Sequence, residues 1–503
     1  MLLVTVLGSA LAFIDATVVN IALPHIGNSL GADAGGLQWA MNGYTLALTS
    51  FILLGGSLGD RLGRRRMFLI GAGWFAAASL LCGLAPGIET LVAARVLQGM
   101  GGALLTPGSL ALLEASFRPE DRARAIGAWS GLGGVGGALG PFLGGWLVQV
   151  ASWRLVFLIN VPLAAVVVAA GLRHLPESRN PDAARRLDLA GAATAAGGLT
   201  GISYGFIAWS ARGGRSPAVL AALGLGVAGL AAFVLRERRA EEPMLPLRVF
   251  SSPTFAAANA VTFAVYAALG GVFFLVVLNL QVVTGFAPLA AGMAMLPITV
   301  LMLLFSARAG ALSQRLGPRI PMTLGPAVCA LALLLLARVG ASASYLKDVL
   351  PAVALQGIGL SLTVAPLTAA VLGSVDDRHA GLASAVNNAV ARAAGLLAVA
   401  ILPLAGGLGK GSLTDPLALA PMYRKAMWIC AGLLAAGGAI ALAAIPGRTS
   451  AIPAARPARP AIARGFYHCD VAGPPLEPLR TGRGWAPEPV RSERPSSSPR
   501  EGA

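Results

Sequence analysis

Residues 2–24 read LLVTVLGSALAFIDATVVNIALP, twenty-three residues that carry one charge, Asp15. A helix rises ~1.5 Å per residue and the hydrocarbon core of a bilayer is ~30 Å thick, so such a run is long enough to cross it. The run has no basic leading segment and is too long for the apolar stretch of a secretory signal, so it reads as a membrane span. Asp15 sits fourteen residues after Met1, about 20 Å along the helix axis and therefore deep in the apolar layer.

Runs of the same kind recur along the chain. Of 503 residues, 56% are hydrophobic and 12% charged, with a mean hydropathy of +0.73, whereas a soluble domain carries about 25% charged residues. In lipid the backbone must satisfy its own polar groups, which leaves helices or closed barrels. The runs are continuous and rich in Ala, Leu and Gly rather than alternating, so they are helices. The expected fold class is all-α, with spans near residues 2–24, 37–58, 67–86, 91–113, 125–148, 154–172, 188–209, 217–235, 255–278, 288–307, 320–340, 348–373, 380–406 and 425–445, fourteen in total. Residues 447–503, rich in Pro, Arg, Ser and Gly without helical periodicity, are expected to form a disordered tail.

Arginine distribution sets the orientation. Arg61, Arg64, Arg65 and Arg66 follow span 2; Arg118, Arg122 and Arg124 follow span 4; Arg173, Arg179, Arg185 and Arg186 follow span 6; Arg236, Arg238, Arg239 and Arg248 follow span 8. The alternate connections are poorer, with Arg424 and Lys425 assigned to the one before the last span. Even-numbered connections and both termini are therefore expected in the cytoplasm. The net charge of +16 is explained by this bias and by the tail, so nucleic acid is not an expected partner. Cys82, Cys329, Cys430 and Cys469 show no metal or disulfide spacing.

The chain also echoes itself. Arg61-Leu62-Gly63 recurs as Arg315-Leu316-Gly317, and Leu97-Gln98-Gly99 as Leu355-Gln356-Gly357, at offsets of 254 and 258 residues. Span 2 thus matches span 10 and span 4 matches span 12. The implied organisation is a six-helix bundle over 1–175, two inserted helices over 176–250, and a second six-helix bundle over 251–446. Transporters are commonly built from such repeats.

Several residues stand out chemically. Lipid burial disfavours the charge on Asp15, which suits either proton exchange or a paired structural carboxylate beside a wet cavity. Arg95, early in span 4, needs a partner, a wet cavity or a route to the surface. Its counterpart in the second half is Val353, so the charge is not a requirement of the shared fold. Gly59, Asp60, Arg61, Gly63, Arg64 and Arg65 form a tight charged turn, either a conformational latch or a topogenic cluster. Asp60 at a helix C-terminus opposes the macrodipole and requires an offset such as Arg64. In span 5, Gly136, Gly140 and Gly144 share one face, and Pro141 and Gly145 another, which allows close helix packing and rocking. Asn20, Gln98, Asn387, Asn388 and Arg392 are polar positions for substrate contact or interhelical bonding. No GxxxxGK[ST] phosphate loop is present, Gly409-Lys410-Gly411 being the nearest approach, and no HExxH or GxSxG. An ATP-driven pump and a hydrolase are therefore disfavoured; the expectation is no enzyme and no cofactor or metal.

The segment Gly59–Arg66 resembles the cytoplasmic signature of the major facilitator superfamily. Asp15 to Pro24, Arg95-Val96-Leu97-Gln98-Gly99, Gly136 to Gly145 and Ser152-Trp153-Arg154 through Asn160-Val161-Pro162 look like motifs of its fourteen-helix drug:proton antiporters, the EmrB/QacA type. The likeness covers nearly all of residues 10–400. It implies export of a small amphipathic organic substrate driven by proton entry across the cell membrane. It assigns proton coupling to Asp15 and Arg95, and the latch to Asp60 and Arg64. The partners are then protons, the substrate and membrane lipid, with a monomer as the expected state. Uptake by symport is the alternative on the same fold. One departure is the second-half turn, where Ser313-Gln314 precedes Arg315 in place of an acidic residue.

Overall fold

A computed structural model describes residues 1–117, 139–179, 188–240, 243, 245, 247–375, 380–408 and 413–447. Its helices in chain order are α1 (Leu2–Leu30), α2 (Ala34–Leu62), α3 (Arg64–Gly83), α4 (Ile88–Ser116), α5 (Leu139–Val150), α6 (Leu155–His174), α7 (Leu189–Arg212), α8 (Pro217–Arg239), α9 (Pro253–Val282), α10 (Pro288–Leu316), α11 (Arg319–Leu336), α12 (Tyr345–Leu372), α13 (Ala380–Ala405) and α14 (Pro416–Ala444). Among the described residues, 11 helices are long and apolar enough to cross a membrane. Those outside that set are α5, of which a short part is described, and α2 and α7, whose Gly, Ser, Thr and Asn content dilutes their hydropathy.

Two boundaries differ from the sequence reading for identifiable reasons. Helix α1 does not stop at Pro24 but runs through it to Leu30. Proline removes one backbone donor, a loss that packed membrane helices tolerate, and one residue beyond the carbonyl it frees, Ile21 accepts from the Gln281 amide of α9 at 3.1 Å. Helix α14 begins at Pro416, with Asp415 accepting from the Leu417 N–H at 3.0 Å as its N-cap. Arg424 and Lys425, read above as connection residues, therefore lie on the helix. Gly136 and residues 448–503 lie outside the described residues.

The packing repeats along the chain. In the first half α4 packs on α2 and α3, and α6 on α3 and α1; in the second, α12 packs on α10 and α11, and α14 on α11 and α9. The same helix positions are thus paired twice. Lipid offers no hydrophobic reward for helix association, so close van der Waals contact at small residues carries the packing. Helices α7 and α8 illustrate this: a Cβ on Gly201 would sit 2.7 Å from the Gly226 Cα. Helix α7 packs in turn on α2 and α13, while α8 remains the most exposed of the candidate spans, 11% buried.

The halves meet at the end opposite the Gly59–Arg66 turn. Gln38 at the start of α2 donates to the Val399 carbonyl near the end of α13 at 2.8 Å, and Gln281 of α9 reaches Ile21 of α1. Helix α5 joins them with two faces. A Cβ on Gly140 would strike Thr17, and one on Gly144 would lie 2.7 Å from Val18 Cγ2, both on α1. A Cβ on Gly145 would lie 2.6 Å from Leu289 Cα, and one on Gly292 would strike the Pro141 carbonyl, both contacts being with α10. The two faces read from sequence thus abut helices of different halves.

Candidate functional site

Asp15 and Arg95 meet inside the first half. Both are buried, at 0% and 1% exposure, and Arg95 Nη1 lies 2.6 Å from Asp15 Oδ2. Snorkelling of Arg95 to a surface is thereby excluded. The same Nη1 donates to Gln98 Oε1 at 2.6 Å, and Arg95 Nε donates to the Ala40 carbonyl of α2 at 3.0 Å. Gln98 Nε2 donates to Asp15 Oδ1 at 2.8 Å and to Ser79 Oγ of α3 at 2.7 Å. Asn160 of α6 donates to Asp15 Oδ1 at 3.1 Å and to Ser79 at 3.4 Å. Three donors from two helices therefore converge on one carboxylate. Two rings complete the enclosure: the Arg95 guanidinium carbon lies 4.4 Å from the Tyr44 ring centroid and 5.7 Å from that of Phe157.

Five of the first six helices supply this network, and each supplies it from a buried position. A buried charge must be paired and hydrogen-bonded or the fold does not tolerate it. Here side-chain and backbone groups of the protein meet that condition. The sequence reading named Asp15, Arg95 and Gln98 but not Ser79, Tyr44 or Phe157, and it met Asn160 only inside a motif. The available signal was polarity: Ser79 and Asn160 are isolated polar residues within apolar helices.

Among the described residues, the second half has no such network. Val353 occupies the position echoing Arg95 and is fully buried. Gln356, the echo of Gln98, is equally buried, and neither its amide nitrogen nor its oxygen has a hydrogen-bond partner. The buried ion pair thus belongs to one half of an otherwise repeated packing scheme.

The Gly59–Arg66 turn is organised around two carboxylates. Arg64 offsets Asp60 across the α2–α3 corner, with Nε and Nη2 each 2.8 Å from Asp60 Oδ1, and reaches the Ala111 carbonyl of α4 at 3.2 Å. Glu177, after α6, accepts from the backbone N–H of Arg65 at 3.1 Å and of Arg66 at 3.2 Å, capping the α3 N-terminus where a negative charge is favoured. Arg65 donates to the Leu172 carbonyl at 2.6 Å. Gly63 has φ +118°, a conformation that L side chains rarely adopt, and a Cβ there would lie 2.7 Å from the Glu177 carboxylate. These bonds join elements of the first half. Glu177 was not singled out from sequence because a surface acid after a helix has no distinguishing neighbours.

The remaining polar positions separate by role. Asn387 of α13 donates to Thr262 Oγ1 at 2.7 Å and to Asn259 Oδ1 at 3.2 Å, both on α9, so it ties helices within the second half. Asn388 is exposed and bonds its own turn at Ser384. Asn20 is buried, and its Oδ1 has no partner. Arg392 is half-buried, and its buried Nε has no hydrogen-bond partner. Among the described residues there is no cluster of His, Cys, Asp and Glu that could hold a metal ion.

Comparison with known proteins places this arrangement. The family model described as Major Facilitator Superfamily matches residues 5–400. The multidrug resistance protein Stp of Mycobacterium tuberculosis is 36% identical over 389 residues, covering 77% of this chain and 72% of that protein. The tetracenomycin C resistance and export protein of Streptomyces glaucescens is 35% identical over 402 residues, covering 80% and 74%. The puromycin resistance protein pur8 of Streptomyces alboniger is 37% identical over 405 residues, covering 80% of each. Among solved structures, a bacterial homologue of the human lysosomal transporter Spinster superposes with a TM-score of 0.63 at 18% identity, over 88% of this chain and 96% of that one. The xylose transporter XylE from E. coli gives 0.59 at 15% identity, over 90% and 97%. At such identities these structures establish the fold alone.

Proposed function

The chain belongs to the major facilitator superfamily, and we propose that it is a proton-coupled exporter of small amphipathic drugs or metabolites, working by alternating access in the cell membrane. The buried Asp15–Arg95 pair carries this reading. A proton arriving on Asp15 cancels its charge and frees the Arg95 guanidinium, which must then find other acceptors; the surrounding helices α2, α3, α4 and α6 rearrange to supply them. Relatives named for drug resistance and export support the outward direction.

In this reading the fourteen helices form two six-helix bundles, over 1–175 and 251–446, with α7 and α8 inserted between them, as in the EmrB/QacA type. Even-numbered connections and both termini face the cytoplasm. The end joined by Gln38–Val399 and Gln281–Ile21 is then the outer one, and the conformation is inward-facing. Helix α5, with one glycine face on α1 and the other on α10, is the element on which the bundles rock. The Asp60–Arg64 turn with Glu177 stiffens the inner end of the first bundle and serves as the latch surface when the inner end closes. Protons, substrate and lipid are the partners, and the monomer is the working unit.

Inverted membrane vesicles with an imposed pH gradient test this. The wild-type protein should accumulate members of a panel of amphipathic compounds of differing charge only while the gradient lasts. The membrane potential supplies about 2.3 kcal/mol per proton per 100 mV, enough for roughly a fiftyfold gradient. Asp15→Asn should abolish gradient-driven accumulation while leaving downhill exchange. Gradient-driven accumulation by Asp15→Asn at the wild-type rate would remove Asp15 from the coupling step.

A further inference from the structure

Among the described residues, Arg392 is a cation without a counterion at the junction of the two halves. It projects from α13, which packs on α2 of the first half and on α9 of the second. Its electrostatic neighbours are Tyr44 on α2 and Tyr266 on α9, and no carboxylate is among them. Among the described residues the ion pairs are Asp60–Arg64, Asp15–Arg95 and Asp188–Arg236, so none involves Arg392. Its Nε is shielded from solvent and makes no hydrogen bond, and the buried Tyr44 hydroxyl of α2 makes none either. Arg95, by contrast, has an acid, an amide and a carbonyl for its donors.

A permanently charged side chain that is half-buried in a helix bundle, with one donor shielded and unpartnered, is costly, and membrane helices retain one chiefly where function needs it. Its planar fork of donors matches a carboxylate or another flat anion with two parallel hydrogen bonds. The charge count around Tyr44 points the same way. Among the described residues, Asp15 is taken up by Arg95 at 2.6 Å and no ion pair reaches Arg392. One positive charge is therefore left unbalanced, and it repels a cationic ligand while attracting an anionic one.

We propose that Arg392, assisted by the Tyr44 hydroxyl, is an anion-binding subsite at the bundle junction, and that the transported compounds carry a carboxylate or an ionised phenol on an apolar body. The proposal rests on the transport reading above and adds the substrate class to it. The ligand's anionic group docks on the guanidinium fork, its apolar body lies along α9 and α13, and Asn388, one turn before Arg392, borders the subsite. Tyr44 then touches both the substrate anion and the Arg95 of the proton site, whose guanidinium carbon lies 4.4 Å from its ring centroid, so that each is sensed by the ring between them.

The test uses three probes that share one ring system and differ in charge: 1-naphthoate, 1-naphthamide and 1-naphthylmethylammonium. Accumulation of each is measured in inverted vesicles under a fixed pH gradient for wild type, Arg392→Gln and Arg392→Lys, with size-exclusion profiles confirming that each variant is folded. Wild type should accumulate the naphthoate at least tenfold faster than the ammonium probe. Arg392→Gln should lose at least tenfold on the naphthoate and less than threefold on the amide, and Arg392→Lys should recover part of the naphthoate rate. In a one-for-one exchange an exported anion moves two charges per cycle, so the logarithm of naphthoate accumulation should rise twice as steeply with imposed potential as that of the amide. Wild-type preference for the ammonium or neutral probe, absence of naphthoate transport, or Arg392→Gln within twofold of wild type on naphthoate would each overturn the assignment. If the neutral or cationic probe is driven while naphthoate is not, the substrate class fails and the exporter reading stands; if the gradient drives none of the three, the exporter reading fails with it.

Discussion

The pairing of Asp15 with Arg95 can be measured as a coupling energy. At a charge separation of ~4 Å and an effective dielectric of ~20, the gross attraction is about 4 kcal/mol. Removing one partner of a buried pair costs about 3–5 kcal/mol, because the other charge stays buried. The structure places Asp15→Asn near the low end. Arg95 keeps the Gln98 and Ala40 oxygens and the faces of Tyr44 and Phe157. Asparagine keeps one acceptor oxygen for the three donors that now converge on the carboxylate, so one of its own N–H groups must face a donor. Arg95→Gln should cost a similar amount by leaving the Asp15 charge unbalanced. The double variant Asp15→Asn/Arg95→Gln has no buried charge and should be less destabilised than the sum of the single ones by about 2–3 kcal/mol. The measurement is a double-mutant cycle on detergent-solubilised protein, by reversible denaturant unfolding in mixed micelles. Additivity within about 0.5 kcal/mol would show that the two charges do not interact and would refute the geometry on which the proton-coupling reading is built.

Three further outcomes follow from individual contacts. Gly140→Ala drives a methyl into Thr17 and to 3.1 Å from the Ile14 carbonyl, so it should lower thermal stability by about 1–3 kcal/mol through overpacking, while Gly73→Ala, with nothing within 4 Å of its Cβ, should be neutral or slightly stabilising. Gln38→Leu removes the 2.8 Å bond to the Val399 carbonyl between α2 and α13; a loss of about 1 kcal/mol from this closed end shifts the conformational ratio about fivefold, read as a changed distance distribution between spin labels on the two helices. Glu177→Ala uncaps α3 at Arg65 and Arg66 and should cost about 1 kcal/mol, visible as faster hydrogen exchange in the first turn of α3 and nowhere in α9–α14.

The amino-acid sequence by itself determined that the chain is a bundle of apolar helices. A run of twenty or so apolar residues has no other stable form in lipid, and that condition is local. It also made the repeat visible, since Leu97-Gln98-Gly99 and Leu355-Gln356-Gly357 fall on equivalent helices, and it marked Asp15 and Arg95 as charges out of place and Arg392 as a polar position on its span. It placed Gly140 and Gly144 on one helix face and Pro141 and Gly145 on another, because those faces follow from helical periodicity alone. Partners were a different matter. Asp15 lies about 20 Å from the start of α1 and Arg95 about 10 Å from the start of α4; since adjacent spans alternate in direction, the two depths coincide, yet depth does not say which way either side chain turns. Only packing turned Arg95 inward onto Asp15, brought Ser79 and Asn160 from α3 and α6 to the same carboxylate, and set Glu177 against the α3 N-terminus across more than a hundred residues of chain. Tertiary structure also left Arg392 without an ion-pair partner among the described residues. Hydrogen bonds and ion pairs are short-ranged in space and indifferent to separation in sequence, so the spans were legible one helix at a time while the site was legible only after the helices had packed.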